Sequence, residues 1–225
     1  MTTSKIKRIG GWAALASGIL YLFAFVALVL FFAVEYEQAA SNNARGVEAF
    51  YPFGFASDLL PVFAAAATLI LVGVLYGLLR DTAPRWSQIG AAFGAVGGLT
   101  LLLTNLLFVL HAITLGQQGQ FSFLAFAPTG VWLAIVNALA RRDGLLSPRL
   151  SLLGMIVGIG EVVAVAVAIP SGALPMLAAA DFASMSGNLP LLISVSVGFL
   201  MGLIGGTVWP FGVGRALLGS QPKGE

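Results

Sequence analysis

Cysteine is absent from the sequence, and charged residues are scarce. The 225 residues include no Cys, a single His and only 9% Asp, Glu, Lys and Arg. Without cysteine the chain has no disulfide, no thiolate metal site and no cysteine nucleophile. The lone histidine, His111, would leave a metal ion to be held by carboxylates, so we expect neither a metal nor a cofactor. The formal charge of +2 gives no reason to expect a nucleic-acid partner.

Several catalytic signatures are missing as well. The sequence has no GxxxxGK stretch followed by Ser or Thr, no GxSxG turn and no HExxH pair. These absences argue against ATP-driven pumping, lipase chemistry and metalloprotease chemistry respectively. Whether the chain is an enzyme stays open at this point, with the balance against it.

Hydrophobic residues, at 59%, dominate the chain. A water-soluble domain needs more charge than this to cover its surface. The apolar runs are 12–34, 59–79, 89–113, 121–140, 150–169 and 189–209. Each is long enough to cross a hydrocarbon core of about 30 Å. The sequence therefore predicts an all-α, six-helix membrane bundle that forms one domain over residues 1–225.

Two of these runs have features of their own. The first follows Lys5, Lys7 and Arg8 as a signal peptide would, but it is too long for a signal sequence, so we expect a retained helix. The fourth contains Pro128 and Gly130, which predict a bent or partly re-entrant beginning of that span.

The basic residues predict which way the chain crosses the membrane. Short cytoplasmic connections carry an excess of Lys and Arg. With the N-terminus inside, Arg45 alone falls on the outer side, so both termini are predicted to be cytoplasmic. The residues predicted inside are Lys5, Lys7, Arg8, Arg80, Arg85, Arg141, Arg142, Arg149, Arg215 and Lys223.

The two longer outer connections differ in composition. Residues 35–57 combine Glu35 and two further Glu with several Tyr and Phe, which is typical of a segment lying at the outer interface. Residues 170–188 are rich in alanine and predict a short interfacial helix.

An internal similarity links two of the inner turns. The stretch 80–94 and the stretch 142–158 both contain Arg-Asp, then Pro-Arg, then a Ser and two Gly. Parallel helix repeats are one way to build a transporter. Inner turns also favour Arg, Asp, Pro and Ser in general, so a true repeat of helices 2–3 in helices 4–5 stays open.

Small residues recur at four-residue spacing in several spans. Lipid tails are as apolar as leucine, so helices in a bilayer associate by close backbone approach, which small residues permit. We interpret these ridges as packing seams that carry no information about a ligand. They comprise Gly73 and Gly77 in span 2, Gly90, Gly94 and Gly98 in span 3, Gly154 and Gly158 in span 5, and Ser194, Gly198, Gly202 and Gly206 in span 6.

One acidic residue, Glu161, falls near the middle of the fifth span. An ionised carboxylate there is costly, so such a group is protonated, paired or exposed to a wet cavity. At 100° per residue Glu161 shares the ridge of Gly154 and Gly158, and therefore points into the bundle. Two interpretations stay open: a group that binds a proton, a cation or a ligand, or a neutral acid hydrogen-bonded to a neighbouring helix.

Three further polar residues, Asn105, His111 and Asp58, are candidates for the same site. Asn105 shares the ridge of Gly90, and His111 lies towards the outer end of the third span. Asp58 opens the second span, where it is placed to cap that helix. All belong to the middle or outer half of the bilayer, so a polar pocket open to the outside is one expectation. Asn137, near the inner end of the fourth span, is expected to be exposed or to cap its helix.

Two stretches also carry a family resemblance. They are 17–25, SGILYLFAF, and 142–149, RDGLLSPR, which leads into Leu152, Leu153 and Gly154. In these stretches, and in length and topology, the chain resembles a broad bacterial group of six-helix membrane proteins whose shared domain has no assigned function. The resemblance implies a bacterial inner membrane, with the acidic 35–57 segment facing the periplasm or exterior. It assigns no activity and transfers no functional residue.

Three functional hypotheses follow. The first is a non-catalytic accessory, sensory or small-ligand-binding protein whose partners are membrane lipids, another membrane protein or an apolar small molecule. The second is a secondary transporter in which Glu161 cycles a proton; the repeat and the buried acid favour it, and the scarcity of other charges within the spans weakens it. The third is an intramembrane enzyme that uses Glu161 with His111 or Asp58.

Overall fold

The described part of the chain is a set of long helices. The computed structural model describes residues 3–35, 51–171, 174–175 and 189–219. A π-helical turn, Phe31–Glu35, extends the first helix, and a second, Ile204–Val208, interrupts the last span; we call the latter the π segment. The α-helices are α1 (Thr3–Leu30), α2 (Pro52–Leu79), α3 (Pro84–Val109), α4 (Leu115–Arg142), α5 (Pro148–Ala168), α6 (Leu189–Leu203) and α7 (Trp209–Gly219).

Six segments are long and apolar enough to cross a membrane, with α6, the π segment and α7 counting as one. Large hydrophobic side chains cover the outside of the bundle; Phe63, Val96 and Ile159 are each more than half exposed. Such a surface is unfavourable in water and ordinary in lipid. The predicted all-helical, six-span architecture is thus confirmed for the described residues, and it indicates a multi-pass membrane protein.

Proline and hydroxyl residues fix where several helices begin. Pro52, Pro84 and Pro148 open α2, α3 and α5, where the missing N–H of proline would have had no partner in the helix. α4 begins with a capping box. The Thr114 hydroxyl accepts from the Gln117 backbone N–H, and the Gln117 side chain accepts from the Thr114 N–H.

Three predictions about helix boundaries are wrong. α2 begins at Pro52, so Asp58 lies inside the helix and does not cap it. α3 ends at Val109, so His111 lies in the turn before α4, with a left-handed φ of 57°. α4 runs without interruption through Pro128, so the re-entrant alternative for its first turns is wrong, while the bend expected there stays a prediction.

The helices form a ring in which each packs on the next, and the last span closes the ring against α1. Within that span the packing partner changes: α6 packs on α5, whereas α7 packs on α1. Glycine permits the closest approaches. Gly158 of α5 meets Gly130 of α4, where a Cβ on either residue would overlap the other's carbonyl oxygen.

The up-and-down arrangement gathers the described basic residues at one end of the bundle, which we call the basic end. Two turns touch there: the Thr82 hydroxyl donates to the Asp143 carboxylate, and Arg142 Nη2 donates to the Thr82 carbonyl oxygen at 3.2 Å. These are the two turns that resemble each other in sequence. The basic residues at this end are Lys5, Lys7, Arg8, Arg80, Arg85, Arg141, Arg142, Arg149 and Arg215.

Glu35 ties α1 to α2 at the opposite end. Its buried carboxylate accepts the backbone N–H groups of Phe53 at 3.2 Å and Gly54 at 3.0 Å. The first turn of a helix has free N–H groups and a partial positive charge, so a carboxylate is stabilised there. Residues 36–50 and most of 170–188 lie outside the described residues, and the interfacial structure expected for them stays a prediction.

Candidate functional site

The predicted seam glycines of the third, fifth and sixth spans lie at helix contacts. A Cβ on any of Gly90, Gly94, Gly98, Gly154, Gly158, Gly198, Gly202 and Gly206 would come within 3.2 Å of an atom of another helix. The ridges of α3 and α5 lie on two sides of α4. Among the described residues, Gly73 and Gly77 have no such neighbour within 4 Å, so the seam predicted on α2 is wrong.

Glu161 lies on the inward face of α5 and is only 2% exposed. Side chains and backbone from three other elements enclose it. A Cβ on Gly130 of α4 would lie 3.0 Å from the Glu161 Cβ, and a Cβ on Gly205 of the π segment would lie 3.3 Å from Glu161 Oε1. Tyr21 of α1 is close enough to interact electrostatically with the carboxylate. The acid therefore lies where four elements of the bundle meet.

The Glu161 carboxyl group lacks a partner on one oxygen. Oε2 is buried, and the described residues offer it no hydrogen bond. The hydroxyls of Ser122, Thr129 and Ser151 share this condition, but burying an unsatisfied hydroxyl costs less than burying a carboxylate. An acid that held two helices together would bond to the neighbouring helix, and Oε2 makes no such bond to any described residue.

The π segment places unusual backbone beside Glu161. A π turn closes i→i+5 hydrogen bonds, and such turns frequently occur at functional sites. Gly205 and Gly206 present bare backbone, the first to Glu161 and the second to Tyr21. The Thr207 hydroxyl bonds to the Leu203 carbonyl oxygen of its own helix. Where the last span faces Glu161, it therefore presents backbone rather than a side chain.

A second polar contact lies nearer the basic end. Asn137 is fully buried, its Nδ2 donates to the Leu133 carbonyl oxygen at 2.8 Å, and its Oδ1 accepts from Trp209 Nε1 at 2.9 Å. The prediction that Asn137 is exposed or caps its helix is wrong, because its side chain faces the last span. Asn137 and Trp209 fill the space beside Gly154, and Trp132 packs edge-on against Trp209.

The other predicted site residues lie apart from Glu161. Asp58, half-buried on α2, is within electrostatic range of the exposed His111. Asn105 is buried on α3, and its Oδ1 accepts from Gln118 Nε2 at 3.1 Å. α4 stands between α3 and α5 in the ring. The structure therefore brings Asp58 within electrostatic range of His111 and hydrogen-bonds Asn105 to Gln118, and it does not bring the four candidates into one pocket.

Sequence reasoning missed two members of the site. Tyr21 lies in a uniformly apolar run, so no local pattern distinguishes it. Gly205 lies beside the predicted seam glycine Gly206, and only the π turn shows which of the two faces the acid. The one sequence feature that indicates this part of the site is the pair of adjacent glycines, Gly205 and Gly206, at about the membrane depth of Glu161.

Comparison with known proteins adds no assignment. No protein-family model, curated protein or solved structure matches the chain. Within the described ranges, no three His, Asp or Glu side chains lie close enough to share a metal ion. The site is therefore interpreted from its own geometry.

Proposed function

We propose that this chain is a non-catalytic, sensory membrane protein that binds a proton or a small cation at Glu161. The unpartnered Oε2 of a buried carboxyl group carries the proposal. Gly130 and Gly205 bring neighbouring backbone so close that little room remains around the acid. Within that room a bound proton neutralises the carboxylate, or a small cation balances its charge, and intramembrane acids commonly serve this purpose.

Binding at Glu161 would act on the last span. The carboxyl group lies beside the π segment, where this span changes its packing partner from α5 to α1. A change of charge at Glu161 alters the free energy of holding the π segment against it. A binding event shifts a conformational equilibrium only through such a difference between states. The π segment is the responsive element in this proposal.

Infrared difference spectroscopy in lipid nanodiscs tests the binding group. The wild type should show a carboxylic-acid C=O band that changes with pH. Glu161→Gln should lose the band, and Asp58→Asn, which removes the acid beside His111, should keep it. A band that survives in Glu161→Gln would show that another group binds the proton.

Amide hydrogen exchange tests the response of the last span. In the wild type, the rate of amide exchange at Ile204–Val208 should depend on pH more strongly than the exchange rate of an unstructured peptide does. Glu161→Gln should abolish this additional pH dependence. The C-terminal half of α2, residues 66–79, contains no Asp, Glu or His and serves as an internal reference. If the two proteins behave alike, the sensory part of the proposal fails while the binding site still stands.

We further propose that both termini lie on the cytoplasmic side of a bacterial inner membrane. The clustered basic residues support this orientation, since cytoplasmic ends are enriched in Lys and Arg. The natural absence of cysteine permits a direct test. A membrane-impermeant maleimide added to intact cells should label Leu115→Cys and not Arg141→Cys, at the other end of α4. The reverse pattern would invert the orientation.

A proton-coupled secondary transporter is the second candidate. The similar ridges of α3 and α5 flank α4, as parallel repeats would. In proteoliposomes with an entrapped pH dye, solute-driven proton entry that is lost in Glu161→Gln and kept in Asp58→Asn would favour transport. The intramembrane enzyme has no support from the geometry, because Glu161 lies apart from both Asp58 and His111.

A further inference from the structure

A groove runs along the outside of α1 and α2, starting at the basic end. Its volume is about 550 Å³. Small side chains create the recess, and larger or charged ones border it. The residues that line the groove include Lys5, Arg8, Trp12 and Ala16 on α1, and Ala67 and Ile70 on α2.

The α1 side of the groove is one continuous face of the helix. Lys5, Arg8, Trp12 and Ala16 follow one another at spacings of three and four residues, which places them on one side. The rise from Lys5 to Ala16 is about 16 Å, close to half of a hydrocarbon core of about 30 Å. The groove thus has the length of one leaflet, with two cations at one end and apolar side chains below them.

The groove is open and positively charged. Lys5, Arg8 and Ala16 are exposed, and the side chains of Trp12 and Ile70 are 59% and 52% exposed. In the described part of the chain no carboxylate lines the groove. The two basic groups are therefore available to an anion from outside the bundle.

We propose that this groove binds one anionic phospholipid from the leaflet at the basic end. The phosphate lies between Lys5 and Arg8, and Trp12 lies beside the glycerol region. An acyl chain then follows Ala16 and Ile70. Charge complementarity carries the proposal, because basic residues at a membrane surface attract anionic headgroups and Trp favours the interface. The groove shares no residue with the Glu161 site, so either proposal can fail without the other.

Native mass spectrometry of the delipidated protein tests the headgroup. The probes are phosphatidylglycerol and phosphatidylcholine with the same acyl chains, and the wild type should retain one phosphatidylglycerol in preference. Lys5→Ala with Arg8→Ala should weaken its binding by about thirty-fold. Arg85→Ala with Arg149→Ala removes two exposed cations from the same end, outside the groove, and should leave binding unchanged.

A second pair of variants tests the acyl-chain part of the groove without changing charge. Ala16→Phe fills the recess and should reduce phosphatidylglycerol binding. Ala92→Phe places the same side chain at an exposed position on α3 and should not. Both variants lie on the outside of the bundle, so folding is expected to tolerate them.

Four results would overturn the proposal. Equal loss in the Arg85 and Arg149 variant would show a response to total charge, and equal retention of phosphatidylcholine would show that the headgroup is not recognised. Displacement of the lipid by inorganic phosphate would assign the specificity to a free anion. A lipid-free dimer that disappears in Ala16→Phe would show that a second copy of the chain covers the groove.

Discussion

Two buried polar sites lie two turns apart on the same face of α5, and their surroundings are opposite. Beside Gly154, the amide of Asn137 has a partner on both its oxygen and its nitrogen. About 10 Å further along the helix, the Oε2 of Glu161 has none among the described residues. Both side chains are almost fully buried. Hydrogen-bond satisfaction, rather than burial, therefore separates the Asn137 contact from the Glu161 site that we propose to bind a proton or a cation.

The largest expected effect comes from adding one methyl group at Gly154. A Cβ there would overlap the Asn137 amide and lie 2.5 Å from Trp209 Nε1, so the hydrogen bond between them would break. We expect Gly154→Ala to lower the free energy of unfolding by about 3 kcal/mol. Gly77→Ala places its methyl group in open space and should not lower the free energy of unfolding. Reversible unfolding in mixed micelles measures both, and similar values for the two variants would show that the contact at Gly154 is loose.

A smaller effect is expected from the hydrogen bond alone. Asn137→Ala leaves the indole N–H of Trp209 buried without an acceptor. A double-mutant cycle with Trp209→Phe should give a coupling of about 1 kcal/mol, in line with other hydrogen bonds between membrane helices. If the effects of the two single substitutions on the free energy of unfolding simply add, the Asn137–Trp209 hydrogen bond contributes no stability of its own. The contrast between the Asn137 contact and the Glu161 site would then fail.

The smallest effect on stability is expected at Glu161 itself. Glu161→Gln keeps the shape of the side chain, and Oε2 has no hydrogen bond to a described residue to lose, so the free energy of unfolding should change by less than about 0.5 kcal/mol. The same variant should nevertheless abolish the pH-dependent infrared and exchange signals. A loss of stability as large as that of Asn137→Ala would instead make Glu161 a structural acid, and the contrast between the two sites would disappear.

The number of spans and the inward direction of Glu161 could be predicted because both depend on local pattern. A bilayer requires about 20 apolar residues per helix whatever the neighbours are, and a regular helix turns by 100° per residue. The predicted ridge Ser194, Gly198, Gly202 and Gly206 shows where this reasoning stops. The Ser194 hydroxyl bonds to the Ala164 carbonyl oxygen of α5, whereas Gly206 meets Tyr21 of α1. Twelve residues of regular helix already turn these two positions about 120° apart, and the π segment, which no local pattern indicates, lies between them.

Errors elsewhere have a common cause. The prediction for Asn137 depends on its distance from the end of an apolar run, whereas its surroundings depend on which helix lies beside it. The predictions for Asp58 and His111 depend on the bounds of such runs, and the helices begin and end elsewhere. Hydrophobicity determines which residues enter the membrane, whereas caps and neighbouring helices determine where each helix stops and what its polar groups contact.

The Glu35 carboxylate also has a practical consequence for engineering. It holds the end of α1 against the first turn of α2 without depending on the length of chain that joins them. When the ends of a connection are fixed in this way, doubling its length costs only about 0.6 kcal/mol of closure entropy. A reporter domain or an epitope inserted between residues 36 and 50 should therefore leave the assembled bundle intact, which makes this connection the natural place to add one on the side opposite the basic end.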